Sequence, residues 1–306
     1  MRPPGRVGTG KCVLVSASGT SCHEPMTPSD SAGPGTVVTR VTGAVMPVNS
    51  YLVDCGPGVV VVDAQLCVSD AAAVRAAVEA SGKPLLAVLL THPHPDHYAG
   101  AEVLTRGLDV PVVATRAVAD VVAADDGEKQ AVVGPMMGDE WPASRRFPDQ
   151  IVADDATLTW GEQHFTVASW GAAESHADTT WSLADGTVFA GDLVYDAEHA
   201  YLADGHGERW LRVLDRFAAT LDPGARLLPG HGAGGGPELV DRQAAYVRTF
   251  LDAVSAALDD DPVAREQRVL DAVRPLARSD GLLFLARLSI EPTVGVMRDH
   301  GGERSA

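Results

Sequence analysis

The sequence predicts an α/β protein. Short apolar runs rich in Val and Leu, typical of buried strands, alternate with longer segments of helical periodicity. Apolar residues make up 45% of the chain, which is enough to fill a sizeable core. By length alone the 306 residues could form two domains, but one large α/β domain fits equally well.

The first half of the chain alternates between strand and helix patterns. Strands are predicted, from continuous or alternating Val, Leu and Tyr, at 36–42, 48–54, 59–63, 85–90 and 110–114. Helices are predicted at 69–82, 98–106 and 116–125. Ser69 is the expected cap of the first helix and Gly82 its stop.

The second half repeats the combination of a sheet with helices. Strands are predicted near 151–153, 156–160, 164–169, 179–184, 187–190 and 225–228. Asp185-Gly186 is the expected turn of a hairpin. Helices are predicted near 207–220, 237–258 and 262–278. The pattern therefore indicates two half-domains of similar composition.

Three segments stand apart from this alternation. Residues 1–35, rich in Ser, Gly, Pro and Thr, are predicted to form a disordered leader. Residues 126–150 show little periodicity, and their Met and Trp suit either a mobile apolar lid or a surface loop with its Trp tucked into the core. Residues 259–306 are expected to form a helical extension that packs on the main domain, 36–258, or on another subunit.

One short segment carries most of the chemistry in this chain. A strand-like apolar run ends at Thr91 and is followed within six residues by His92, His94, Asp96 and His97. If the two intervening prolines keep the turn extended, the first two histidines face the same way, and the following pair points elsewhere. Imidazole and carboxylate are the usual donors for zinc or iron, and such a dense polar cluster is costly in ordinary packing. The segment therefore predicts a metal site.

Further loops offer the remaining ligands. Each follows a strand-like segment and carries one candidate, namely His176, Asp192 or His231. Small residues beside each candidate allow the backbone to turn sharply and leave room for an ion. Functional residues on loops carried by a strand scaffold are the expected arrangement.

The order and local contexts of these residues resemble the metallo-β-lactamase superfamily. The shared marks are the strand-Thr-HxHxDH motif, the Ala-Gly-Asp that ends at Asp192, and the Pro-Gly-His-Gly around His231. The resemblance covers roughly residues 37–254. It implies an αββα sandwich in which each half of the chain supplies a sheet and its helices.

The resemblance also implies a role for each ligand. One metal would have three imidazole ligands, His92, His94 and His176. The other would have a carboxylate and two imidazoles, Asp96, His97 and His231. Asp192 would bridge the two metals, and Asp63 would orient a ligand imidazole. The implied cofactor is a pair of zinc ions, although the same donors also suit iron or manganese.

A dinuclear hydrolase is the activity that this ligand set implies. Two metals about 3.5–4 Å apart can share a bridging hydroxide, which attacks the carbonyl of a small ester, lactone, thioester or cyclic amide. No Ser, Cys or Lys nucleophile is then required. We interpret Ser175, beside a predicted ligand, as part of the loop structure.

Departures from the family pattern bear on the substrate. The carboxylate of Asp192 at the bridging position resembles glyoxalase-II-like and lactonase-like hydrolases, whereas the β-lactamases of this fold typically lack it. Residues 174–178 read Glu-Ser-His-Ala-Asp instead of the Gly-His-Thr-x-Gly common in glyoxalase II, which argues against a glutathione thioester. A β-lactamase-type amide hydrolase stays open as an alternative.

An oxidoreductase is another alternative. Persulfide dioxygenases resemble this ligand set but use one iron held by two His and one Asp. His92, His176 and Asp192 could serve in that way here. A purely binding role, with the ligand set present but no catalysis, is the third option.

The segment 195–206 is expected to lie beside the metals, since it begins three residues after Asp192. Tyr195, His199 or Tyr201 could donate a hydrogen bond to a developing oxyanion. The predicted catalytic residues are therefore Tyr195 and His199, together with Asp96 of the metal motif.

The charge balance indicates the kind of partner. The chain has 24 basic and 41 acidic residues, a net charge of −17, and no basic cluster. This argues against a nucleic acid and favours a small-molecule substrate. No segment is long enough to span a membrane, so no membrane partner is expected. A homo-oligomer is left open by the apolar C-terminal stretch.

Cysteine usage and the N-terminus bear on location. The four cysteines, Cys12, Cys22, Cys55 and Cys67, lack a CxxC spacing, and the last two could lie near each other. The N-terminal segment is too short and polar for a convincing signal peptide. We therefore predict a reduced, cytoplasmic protein.

Overall fold

The computed structural model describes residues 36–303, and the predicted leader at 1–35 lies outside that range. Six strands of the first half form one sheet in the order β1-β2-β3-β4-β5-β6. They are β1 Val38–Thr42, β2 Asn49–Asp54, β3 Val59–Val62, β4 Leu85–Leu89, β5 Val112–Thr115 and β6 Gln150–Val152. The first three are antiparallel neighbours, and β3 to β6 run parallel. β3 and β4 are continuous apolar runs because parallel strands are covered on both faces.

The second sheet has five strands in the order β11-β10-β9-β8-β7. They are β7 Thr157–Trp160, β8 Gln163–Gly171, β9 Asp178–Ser182, β10 Thr187–Gly191 and β11 Arg226–Pro229. Neighbours from β7 to β10 are antiparallel, and β10 and β11 are parallel. The predicted turn between β9 and β10 is present, with Gly186 at φ +86°.

Helices cover the outer face of each sheet. Those of the first half are α1 Val68–Ala80, α2 Pro95–Tyr98, α3 Ala101–Thr105 and α4 Arg116–Met137. Those of the second half are α5 Gly207–Ala218, α6 Glu238–Ala256, α7 Pro262–Val273 and α8 Leu283–Glu303. Apolar clusters lie under each helical layer and between the sheets, which confirms the predicted αββα sandwich. Within residues 36–303, no helix has the length and apolar character needed to cross a bilayer.

The core between the sheets fixes their relative position near the metal motif. Phe165, Trp181 and Phe189 of the second sheet are fully buried there against Val and Leu of the first. The indole N–H of Trp181 donates to the carbonyl of Leu90 at 3.0 Å. The second sheet is thus hydrogen-bonded to the residue that follows β4.

The loops after β4, β10 and β11 meet at one edge of the sandwich. The backbone N–H of Gly230, after β11, donates to the carbonyl of Gly191 in β10 at 2.8 Å. The N–H of Asn49, at the start of β2, donates to the carbonyl of Gly230 at 2.7 Å. Thr179 in β9 is bonded through its N–H to the carbonyl of Thr91 at 2.9 Å. These bonds bring the loops that carry the predicted ligands to the same place.

The start of α1 differs from the prediction. The helix begins at Val68 after Cys67, and Ser69 lies inside its first turn. The Ser69 hydroxyl donates to Glu140 Oε2 at 2.8 Å, so it links the helix to a distant segment instead of capping it. The predicted stop is confirmed, since Gly82 has φ +69° just beyond the last turn.

The helix predicted at 116–125 is wrong in length. α4 continues to Met137 and takes in nearly half of the segment interpreted as a lid or loop. Mixed Gly, Asp and Glu hide its periodicity in the sequence. Trp141, just beyond it, is buried beside Cys67, and its indole N–H donates to Gln130 Oε1 at 2.8 Å. For Trp141 the interpretation as a residue tucked into the core is therefore the one that the structure supports.

An ion pair holds α4 in place, and its removal gives a testable effect. Arg145 donates to both carboxylate oxygens of Asp126 at 2.7 Å, and the Tyr98 hydroxyl donates to one of them at 3.0 Å. Burial acts to raise the pKa of Asp126, but its bonds with Arg145 and Tyr98 lower it overall. We expect Asp126→Asn to reduce the free energy of unfolding at pH 7 by about 1–3 kcal/mol, measured by urea denaturation.

The pH dependence of this effect follows from the direction of the shift. Because the folded-state pKa lies below the unfolded value of about 3.9, the stabilisation is present above that pH and is lost as the pH falls through the folded pKa. The variant and the native chain should therefore converge in stability under acid conditions. Asp120→Asn, which breaks an exposed pair with Arg116 on the same helix, is the control and should change little. An equal loss of unfolding free energy in both variants would contradict the assignment of this stabilisation to the pair of Asp126 with Arg145.

The C-terminal helices α7 and α8 pack on α6 and on each other. Asp261 caps α7 by accepting the N–H groups of the first turn at 3.0 and 3.1 Å. Val269 and Leu270 of α7 and Ile290 of α8 join the apolar cluster that also contains the buried face of α6. The described part of the predicted extension, 259–303, therefore shares its core with the main domain.

Both cysteines of the described range are free thiols. Cys55 lies in the core between the sheets, and Cys67 lies in the small cluster around Trp141. Burial raises the pKa of Cys55 to about 11, so its thiol stays protonated and takes part in packing.

Candidate metal centre

The metal motif begins where β4 ends. The N–H and hydroxyl of Thr91 donate to the two carboxylate oxygens of Asp63 at 2.9 and 2.8 Å. The backbone is still extended at His94, and α2 begins at Pro95, whose fixed φ suits a first helical position. The change from extended to helical backbone directs the two halves of the motif into separate groups.

The first group of potential ligands consists of His92, His94 and Glu174. One donor atom of each lies within 4.8 Å of the others. Glu174 Oε2 is 3.0 Å from His94 Nδ1 and 3.7 Å from His92 Nε2. All three side chains are buried, so a carboxylate and two imidazoles converge away from bulk water.

The second group consists of Asp96, His97, Asp192 and His231, again with donor atoms within 4.8 Å of one another. The two carboxylate oxygens of Asp192 lie 3.3 Å from His97 Nε2 and 3.3 Å from His231 Nε2. Asp96 Oδ2 is 3.3 Å from His231 Nε2. A Cβ at Gly230 would overlap a carboxylate oxygen of Asp192, so only glycine permits this approach.

The two groups are adjacent and share a hydrogen bond network. The rings of His92 and His97 have centroids 4.0 Å apart. The Tyr195 hydroxyl lies 2.6 Å from Asp192 Oδ2 and 3.2 Å from Glu174 Oε1. One hydroxyl therefore links a carboxylate of the first group to a carboxylate of the second.

His176 does not join the first group, although it was the predicted third ligand there. Its side chain is 47% exposed, and its Nδ1 lies 2.8 Å from Nε2 of His206. Glu174, two residues earlier, lies in the position expected for it. The structure thus exchanges an imidazole for a carboxylate in this group.

Asp178 determines which side chain of this loop points inward. Its Oδ2 accepts 3.0 Å hydrogen bonds from the N–H groups of Ala173 and Ser175. The turn so formed leaves Glu174 buried and His176 at the rim. The sequence signal for this was the mismatch with Gly-His-Thr-x-Gly, because Glu174 is the part of that mismatch that can bind a metal.

Polar atoms without partners mark the centre. Five buried ligand atoms lack a hydrogen bond to any part of the chain that the structure describes: His92 Nε2, His97 Nε2, His231 Nε2, Glu174 Oε2 and Asp192 Oδ1. Buried polar atoms are normally paired, and eleven side-chain atoms of residues 36–303 are not; these five are gathered in the two ligand groups, whereas the other six lie outside them. Each is a donor atom that a metal ion would satisfy, so the residues fit a pair of metals.

Each ligand imidazole is held from its far side. The four contacts are His92 Nδ1 with Thr91 Oγ1 at 3.0 Å, His94 Nε2 with Asp204 Oδ2 at 3.1 Å, His97 Nδ1 with Asp63 Oδ2 at 2.8 Å, and His231 Nδ1 with the Pro47 carbonyl at 2.7 Å. Such partners fix the ring orientation and the tautomer of a metal ligand. Asp63 contacts an imidazole as the resemblance implied, whereas Asp204 was not predicted, since nothing in the sequence relates it to His94.

The electrostatics favour bound cations. Burial acts to lower the pKa of His97 and His231, but the neighbouring carboxylates, Asp192 foremost, raise the pKa of His97 well above its usual value and that of His231 to about 10. Burial raises the pKa of Glu174 to about 8, with His94 opposing the shift. The carboxylates that raise the pKa of these two imidazoles would also attract a divalent cation.

Two predicted catalytic residues, Tyr195 and His199, are buried. The Tyr195 hydroxyl is bonded to two carboxylates, those of Asp192 and Glu174. His199 is also buried, with Nδ1 3.0 Å from the hydroxyl of Tyr246 in α6, and it belongs to neither ligand group. The helices that follow β11 cover it. Only Tyr201 of the three candidates is half-buried beside the first group, with its ring edge-on to His94 and the two ring centroids 5.2 Å apart.

Comparison with known proteins agrees with this fold. A family model described as the Metallo-beta-lactamase superfamily matches residues 43–231, more than half of the chain. The chain therefore belongs to the metallo-beta-lactamase superfamily. The search of curated proteins found no match.

Solved structures of this fold resemble the chain at low sequence identity. A metallo-beta-lactamase family protein from Thermus thermophilus has a TM-score of 0.64 and 21% identity, covering 88% of this chain and 94% of its own. A beta-lactamase domain protein from Burkholderia ambifaria has a TM-score of 0.60 and 21% identity, covering 90% and 88%. A metallo-beta-lactamase from Pontibacter korlensis has a TM-score of 0.56 and 21% identity, covering 70% and 94%. At this identity the likeness establishes the fold alone.

Proposed function

We propose that this protein is a dinuclear, zinc-dependent hydrolase that acts on the carbonyl of a small ester, lactone, thioester or cyclic amide. The observation that carries the proposal is the pair of adjacent ligand groups with five unpartnered donor atoms. When bound, two divalent metals supply a water activated at neutral pH and polarise a carbonyl oxygen. The proposed centre has four imidazoles and three carboxylates, His92, His94, His97, His231, Asp96, Glu174 and Asp192.

The surrounding residues support this chemistry in several ways. Asp63 and Asp204 orient imidazoles of the two groups. The Tyr195 hydroxyl is bonded to the carboxylates of both Asp192 and Glu174 and so supports their relative positions. Ser175 is buried and its hydroxyl accepts the N–H of Ala177, so it is a loop residue and not a nucleophile. No side chain needs to form a covalent intermediate.

The positions of the predicted iron ligands argue against the alternative of a persulfide dioxygenase with one iron. It requires His92, His176 and Asp192 to converge, but His176 faces the rim beside His206. An iron centre that uses Glu174 in its place is an outcome that metal analysis would reveal, since imidazole and carboxylate also suit iron and manganese. Cleavage of a β-lactam amide is one of the substrate outcomes of the hydrolase proposal.

The partner and location belong to the same proposal. A net charge of −17 disfavours a polyanionic substrate, so we propose a small molecule. A cytoplasmic location agrees with the free thiols of Cys55 and Cys67.

The first test is elemental analysis of the full chain purified without added metal. We expect about two zinc ions per chain, followed by hydrolysis in a panel of lactones, thioesters, esters and β-lactams. Asp192→Ala, purified in parallel, reports any contaminating hydrolase. A single iron per chain with oxygen consumption on persulfides would overturn the hydrolase proposal, as would a chain that binds no metal.

A further inference from the structure

The segment 195–206 lies against the metal centre on one side. The hydroxyl of Tyr195, at its start, is 2.6 Å from Asp192 Oδ2. Asp204, near its end, is 3.1 Å from His94 Nε2. A shift of this segment would therefore move ligands in both groups.

The C-terminal helices hold the same segment from the other side. The backbone N–H of Arg278, between α7 and α8, donates to the carbonyl of Ala197 at 2.8 Å. The Arg278 guanidinium Nη2 lies 3.0 Å from each carboxylate oxygen of Asp196. Further along, the N–H of Leu202 donates to the hydroxyl of Ser289 in α8 at 2.7 Å. Residues outside the family match at 43–231 therefore hydrogen-bond to this segment at several points.

Asp196 connects Arg278 to a second ligand loop. Its side chain is 2% exposed, and its backbone N–H donates to the carbonyl of His231 at 3.1 Å. Its carboxylate accepts the N–H of Ala233 at 3.2 Å. Arg278 is therefore the closer of two cations beside a buried carboxylate that holds the loop carrying His231; the other is Arg242, whose Nη1 lies 3.8 Å from Asp196 Oδ1. An unpaired carboxylate at this depth would be costly.

The backbone at Ala197 indicates that the segment is held under constraint. Its φ of +54° is in the left-handed region, which is strained for a residue that carries a side chain. Such a conformation persists only where surrounding contacts enforce it. The contact at this residue is the bond from the N–H of Arg278.

From these contacts we infer that Arg278 is a positioning residue of the metal centre. By pairing with Asp196 and holding Ala197, it keeps Asp192 and His231 at the separation that the second group requires. The inference rests on the proposed function only in assuming that the two groups bind metal. The C-terminal extension would thus help the protein to retain its metal ions.

The test compares the release of bound metal to a chelator in three variants of the full chain. We expect Arg278→Ala to release metal at least about tenfold faster than the native chain, an effect comparable to the loss of metal affinity when residues behind metal ligands are removed. Arg278→Lys retains a cation beside Asp196 and should restore part of the effect. Asp196→Asn removes the other member of the pair and should release metal at a rate similar to Arg278→Ala.

Arg265→Ala is the matched control. Arg265 is a buried residue of the same extension, and within residues 36–303 its side chain bonds only to residues 257–260 and Glu291. We expect it to lower the melting temperature without changing the rate of metal release. Melting curves of the metal-free proteins show whether each variant is folded at the assay temperature.

The outcomes distinguish the inference from the proposed function. A native chain that binds metal, with Arg278→Ala and Asp196→Asn releasing it at the native rate, overturns the inference alone. Equal acceleration in Arg265→Ala also overturns it, because the effect would then follow from general destabilisation. A native chain that takes up no metal overturns the proposed function, and the inference falls with it.

Discussion

Asp192→Ala is expected to lose at least one metal ion per chain and nearly all turnover. The carboxylate of Asp192 lies 3.3 Å from imidazole nitrogens of both His97 and His231, and it accepts the Tyr195 hydroxyl. Its removal leaves these groups without their common partner in a buried site. The loss of turnover should exceed the roughly 10- to 100-fold that partners behind metal ligands contribute. Elemental analysis and initial rates on the best substrate of the panel measure the two effects.

The control for this variant is Asp185→Ala. Asp185 lies in the exposed turn that precedes β10, whereas Asp192 follows the other end of the same strand. Its substitution should leave metal content and turnover unchanged. Native turnover in Asp192→Ala would contradict the two-metal proposal, whatever its metal content.

Glu174→Ala and His176→Ala are expected to differ, although the two residues are close in sequence. Glu174 is buried against His94 and His92, so its loss should reduce the metal content to about one ion per chain and abolish most activity. His176 is at the rim beside His206, so its loss should leave both ions in place. Elemental analysis of the two variants, purified side by side, measures the difference.

The pair of variants also tests the exchange of ligands itself. If His176→Ala loses a metal and Glu174→Ala does not, the assignment originally implied by the family resemblance is correct and the loop adopts another conformation in the metal-bound protein. Glu174→Gln separates charge from shape, because the amide keeps the volume but is a weaker ligand. We expect it to bind the first metal less tightly than the native chain.

The strand scaffold could be predicted from the sequence because its signals are local. The continuous apolar runs of β3 and β4, and the HxHxDH motif directly after β4, need no knowledge of distant contacts. Asp192 and His231 could be identified as candidates because each follows a strand in a characteristic context.

The remaining differences arise from contacts between distant parts of the chain. Glu174 replaces His176 because two hydrogen bonds to Asp178 set the direction of the loop, and no spacing rule states this. In α4, Asp126 pairs with Arg145, which lies beyond the end of the helix, and the periodicity of the sequence does not show this contact. His199 is buried because helices that come later in the chain cover it, so its distance in sequence from the metal motif could not reveal its place.

The packing of the C-terminal helices has a practical consequence for anyone who designs a shorter version of this protein. The family match ends at residue 231, but Phe250, Val269 and Ile290 beyond it belong to the apolar cluster that also contains Val188 and Leu227 of the second sheet. A fragment that stops at the match would expose the remaining residues of that cluster to water and would be prone to aggregation. The minimal unit for expression, crystallisation or fusion to another protein therefore extends through α8.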